Sequence, residues 1–212
     1  GEIIDGVMID EEGMLYFVNN RIRMREGKPF LAGKGGRFGV GQDQWSHSPN
    51  TGTLIKSRGK DVLVLLENAP IPMDQLPQRP AELFKGGRAW VEGAEWFYAG
   101  ASPITFGGCA CPAQRLHTDW YKRTFVPEAY RNSIGVVDTA GNLILHLGRY
   151  GNYDSGFGPK SRIPLEGDGI AVFQPRYIGG TDNYLCWLDW GERVIAARLE
   201  YHTAETVAVK AE

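Results

Sequence analysis

Cys109 and Cys111 flank a single alanine in Gly107-Gly108-Cys109-Ala110-Cys111-Pro112, and His117 and Asp119 follow a few residues later. Thiolate and imidazole together suit zinc or copper, and a carboxylate can complete such a set. The glycines before the pair and the proline after it suggest the bend that chelation needs. Two other readings stand beside the metal site. Either thiol could pair with Cys186, or all three could pack as small apolar groups.

Arg115, Asp119 and Arg123 recur at four-residue spacing. Such arginines could hold a carboxylate or phosphate bidentately, or they could be bound to Asp119 as ties between neighbouring sheets. Trp45 and His47 stand in a glycine-rich stretch and form a second candidate ligand-binding pair. Residues 148–158, GRYGNYDSGFG, collect Asn152, Asp154 and Ser155 on a glycine-bearing segment. Calcium would take such oxygens, but the full calcium-loop spacing is missing and ordinary turn chemistry explains the same residues.

Trp90, Trp96, Tyr98, Trp120, Tyr121, Trp187 and Trp190 offer core packing, with some available for a stacking platform. The chain has no Gly-x-Ser-x-Gly elbow, P-loop, dinucleotide fingerprint or haem-attachment motif. Each absence lowers the expectation of an enzyme.

The elements that must position these residues are short. The chain has 212 residues, 42% of them hydrophobic and 23% charged, which is enough for a sizeable core in one globular unit. A net charge of -2, with basic residues dispersed, leaves no footprint for nucleic acid. No apolar run approaches the roughly 18 to 20 residues of a membrane span. The opening GEIIDGVMID has neither a basic nor an apolar leader segment, so any targeting segment is expected to be absent or removed.

Residues 6–18 read as strand, tight turn and strand, with Asp10 and Gly13 in the turn. The pattern returns around Asp138 and Gly141, and again around Asp119 with Lys122 in the glycine position. A further copy is read at Asp182, 44 residues after Asp138, close to the roughly 40 to 45 residues of a propeller blade. Further strands are expected at 61–66, 94–98 and 193–199. Single helical turns are expected at 80–84 and 127–131, where proline could open them. The spans 27–60 and 68–93 read as long loops over a binding face. Many short strands with a repeated hairpin favour an all-β propeller over a sandwich.

Val136-Val137-Asp138-Thr139-Ala140-Gly141-Asn142-Leu143-Ile144, running into the glycine-bearing turn at 147–152, resembles a blade of the NHL-repeat β-propeller family. Residues 187–195, WLDWGERVI, resemble that family's Asp-bearing strand pair. The Cys-x-Cys segment is similar to a subgroup of exported bacterial NHL-like proteins. The resemblance implies a propeller of the NHL kind, an extracytoplasmic setting, and a role as a binding or assembly platform within a multi-chain complex. It also leaves open a metal-dependent lyase or hydrolase with Cys109, Cys111, His117 and Asp119 near the metal. At about 45 residues per blade, 212 residues make four to five units, fewer than the six or more common in the family. The chain is therefore expected to be part of a larger propeller, completed by its own remainder or by another protein chain.

Overall fold

The computed structural model describes residues 4–19, 21–32, 34, 52–66, 79–84, 88–101, 115–152, 154–156, 163–164 and 169–200. Among them there is no helix, and no helix long and apolar enough to cross a membrane. The strands of the first half are β1 (Ile4–Ile9), β2 (Met14–Asn19), β3 (Ile22–Arg25), β4 (Lys28–Pro29), β5 (Gly52–Arg58), β6 (Leu63–Leu66), β7 (Leu83–Phe84), β8 (Arg88–Glu92) and β9 (Ala94–Ala101). Those of the second half are β10 (His117–Thr118), β11 (Thr124–Glu128), β12 (Ser133–Val137), β13 (Leu143–Leu147), β14 (Arg149–Tyr150), β15 (Ser155–Gly156), β16 (Ile163–Pro164), β17 (Ala171–Val172), β18 (Pro175–Gly180), β19 (Tyr184–Asp189) and β20 (Val194–Arg198).

Three antiparallel sheets follow one another along the chain. The first has the order β1-β2-β5-β9, the second β10-β11-β12-β13 and the third β18-β19-β20. A fourth sheet, β4-β3-β7-β8-β6, is built from the two long connections of the first sheet. Two short parallel pairs, β14 with β17 and β15 with β16, lie between the second and third sheets in sequence.

Apolar clusters join these sheets face to face. Tyr16, Val18 and Leu54 of the first sheet pack with Val126 and Val137 of the second. The opposite face of the second sheet, with Phe125, Ile134 and Val136, packs on Ile178, Leu185, Trp187 and Ile195 of the third. Phe17 and Ile55, on the other face of the first sheet, meet Leu83, Ala89 and Val91 of the fourth. Strands buried on both faces need no polar alternation, and β11 and β12 are buried at every position.

The Asp-bearing hairpins form as their sequence predicts. Asp10 Oδ1 accepts the amides of Glu12 and Met14, and the Gly13 amide donates to Asp10 O. Asp138 Oδ1 accepts the amides of Ala140 and Asn142, and the Gly141 amide returns to Asp138 O. Asp119 makes the same turn with Lys122 in the left-handed region at φ 59°. The carboxylate replaces the missing ladder partner, and this fixes the hairpin even without glycine.

Other expectations differ from the structure. At the expected Asp182 copy, Thr181 Oγ1 accepts the amides of Asn183 and Tyr184, so the hydroxyl organises a two-residue hairpin. The Asp-type turn of the third sheet is instead at Asp189, whose backbone carbonyl accepts the Glu192 amide. The expected helical turns are partly strand: Leu83 and Phe84 form β7, and Pro127 and Glu128 end β11, after which residues 129–132 make a tight turn in which the Arg131 amide donates to Glu128 O. Proline fits a strand where no ladder bond needs its missing donor. The described parts of the spans read as loops contain β4, β5, β7 and β8, while residues 35–51, 68–78 and 85–87 lie outside the described residues.

Candidate functional site

The turn between β10 and β11 carries Asp119 and Arg123, while His117 stands on β10 and Arg115 just before it. The Asp119 side chain is fully buried, and its Oδ1 accepts the Arg123 amide at 2.9 Å. Oδ2 accepts Arg123 Nε at 2.8 Å and Nη2 at 2.5 Å. The guanidinium fork is thus engaged by its own turn, with Cζ 5.3 Å from the Tyr121 ring centroid and 5.7 Å from that of Phe125.

The third sheet repeats the device. Asp189 Oδ2 binds Arg193 Nε at 3.1 Å and also Nη2, while Arg193 Nη1 donates to Ser155 O at 2.7 Å. Two aspartate–arginine pairs at four-residue spacing therefore close two strand connections. Charges taken from water are stabilised when paired and hydrogen-bonded in this way.

His117 lies beside this pair but does not bind it. Its ring stacks on Phe125 with centroids 6.1 Å apart, and Nε2 is buried without a hydrogen-bond partner among the described residues. Burial pushes the imidazole below its ordinary pKa, partly opposed by the charges of Asp119 and Asp182. Arg115 is exposed with Cζ 5.9 Å from the Tyr177 centroid, and its backbone bridges to β18 in parallel.

Cys109, Cys111, Trp45 and His47 lie outside the described residues. Cys186 carries a free thiol on the exposed side of β19, directed to Gly179 O at 3.3 Å, so the disulfide alternative is not formed here. Among the described residues no three His, Cys, Asp or Glu side chains are grouped to hold a metal ion. Asp119, with both oxygens bonded to Arg123, is a poor free ligand for zinc, copper or calcium.

A second polar cluster was not read from the sequence. Glu128, at the end of β11, is 1% exposed yet its carboxylate has three side-chain partners. Tyr98 Oη of β9 donates to Oε1 at 2.5 Å, Ser133 Oγ of β12 donates to Oε2 at 2.8 Å, and His146 Nδ1 of β13 lies 2.7 Å from Oε2. This contact fixes the imidazole by one edge. Burial, followed by the Glu128 charge and hydrogen bond, pushes the Tyr98 hydroxyl well above the usual tyrosine range, so it remains a donor.

This cluster ties the first sheet to the second through polar contacts at the edge of an apolar interface. A buried carboxylate is tolerated because its lone pairs are met. The available signal was an acidic residue ending the otherwise apolar TFVPE, but its partners are scattered over 48 residues of sequence.

Comparison with protein-family models, with curated proteins and with solved structures finds no match. The fold and these clusters define the chain as an all-β protein of several antiparallel sheets with interleaved apolar cores.

Proposed function

We propose that the chain is an NHL-propeller-like assembly module, in which the face of β18–β20 turned away from the second sheet receives a β-sheet of a second copy of this chain. Three consecutive antiparallel meanders packed through successive apolar clusters support the propeller-like reading. The observation that carries assembly is the difference between the two outer faces. Beyond the first sheet, Phe17 and Ile55 are covered by the fourth sheet. Beyond the third, Val194 is 80% exposed and Tyr184 is 55% exposed, and Cys186 and Ala196 are exposed between them.

Cys186 pairs with Ala196, and Leu188 with Val194, so these residues form one contiguous outward patch. Sheets bury such faces by packing on another sheet at roughly 10 Å. A mainly apolar patch, with Arg198 on β20 and Arg115 beside Tyr177 of β18 at its margins, has little charge to oppose an identical copy.

The thiol of Cys186 reports directly on this face. In a Cys109→Ser/Cys111→Ser variant, its alkylation rate should fall as protein concentration rises and the face becomes covered. Full-rate alkylation independent of concentration would overturn the reading.

A further inference from the structure

The β10–β11 turn holds two neighbouring aromatic side chains in solvent, Trp120 at 68% and Tyr121 at 59% exposure. Both occupy the central positions of a turn fixed by Asp119 and by the left-handed Lys122. The Trp120 amide donates to Asp182 Oδ1 at 3.1 Å, which locks this turn against the β18–β19 turn. Lys122 Nζ is bound by Glu12 and lies 3.6 Å from Glu11 Oε1, so its charge is engaged as well.

We infer that Trp120 and Tyr121 form a shallow binding platform for a neutral oligosaccharide, with Asp182 and Asn183 supplying polar contacts at its rim. The C–H face of a pyranose ring stacks on an aromatic side chain, while its hydroxyls require donors and acceptors at the ring edge. That pairing of ring faces with an exposed carboxylate and amide is what these two turns bring together.

The surroundings favour a sugar over other occupants. The turn residues and ion pairs around the aromatics are mostly charged or polar: Arg123, whose Cζ lies 5.3 Å from the Tyr121 ring centroid, Lys122 with Glu11 and Glu12, and Thr181, Asp182 and Asn183 of the neighbouring turn. The centre of a protein interface is depleted in such charged residues, and burying them there would leave polar groups unpaired. The carboxylates also oppose an anionic lipid surface. A sugar leaves them hydrated at the rim. Pre-set turns reduce the ordering cost of binding, the main obstacle for a shallow site.

The test is titration of the intact protein with cellohexaose, chitohexaose and xylohexaose, followed by tryptophan fluorescence and calorimetry. At least one should bind with a dissociation constant below about 1 mM, and Trp120→Ala should weaken it by about tenfold or more. The exposed position predicts an unchanged melting temperature for that variant. A Trp120→Phe variant should retain part of the affinity. No heat or fluorescence change with any of the three at about 10 mM would overturn the proposal. So would binding that Trp120→Ala leaves intact, or cosedimentation with phosphatidylcholine vesicles in place of sugar binding.

Discussion

Gly135 lies directly beneath the carboxyl group of Glu128: a Cβ at that position would stand 3.0 Å from Glu128 Cδ and Oε1, and 3.3 Å from the Tyr98 hydroxyl. The backbone there needs no unusual conformation, so space alone selects glycine. Gly135 on β12 pairs with His146 on β13, which lets the carboxylate lean across the strand to reach the imidazole. One missing side chain thus permits the polar tie between two sheets.

Gly135→Ala should destabilise the protein by about 2 kcal/mol, because the methyl group displaces a buried carboxylate from its donors. Glu128→Ala should cost about 3 kcal/mol, and Glu128→Gln less, since the amide can still accept from Tyr98 or Ser133. Urea denaturation of the three variants checks the order. A double-mutant cycle with Tyr98→Phe should give a coupling above about 0.5 kcal/mol; additivity would mean that the tie does not join the sheets.

His117 predicts a pH dependence. Its folded-state pKa lies below the unfolded value of about 6.5, because burial disfavours the cation. Between those two values the unfolded chain binds more protons than the folded one. Its contribution is therefore complete above pH of about 6.5 and is lost as pH falls through the folded pKa. His117→Phe should reduce this slope in the range just below pH of about 6.5, measured by urea denaturation at a series of pH values. An unchanged slope would assign the effect to other groups.

The Asp-type turns can be tested by exchanging their fourth residues. Glu192 holds a positive φ of 55° that glycine adopts without strain. Glu192→Gly should stabilise by up to about 1 kcal/mol. Gly141→Ala should destabilise by about 2 kcal/mol, because φ is +85° and the new Cβ would stand 2.7 Å from Trp96 ring atoms. Thermal melts of the two variants should move in opposite directions.

What was legible in the sequence was local. Asp10, Asp119 and Asp138 each bind amides within four residues, so their hairpins are specified by contiguous residues. The Asp182 expectation fails because blade spacing points to an aspartate, whereas the adjacent Thr181 hydroxyl organises the turn. Of the fourth sheet only β6, expected at 61–66, was legible; the rest comes from glycine-rich and proline-rich connections, and the sheet is stabilised by covering Phe17 and Ile55. The Glu128 cluster was hidden because Ser133 and His146 reach it only through strand pairing within the second sheet, and Tyr98 only once the first sheet packs on it. Asp119 and Arg123 were visible as a pair, but their burial and mutual engagement required the structure.

The most direct test of assembly is sedimentation equilibrium of the intact chain over a wide concentration range, alongside Val194→Lys. The account predicts a mass that rises above that of one chain with concentration, and a shift back to the single-chain mass when lysine is placed on the open face. A wild-type protein that stays at single-chain mass throughout and melts cooperatively would contradict it.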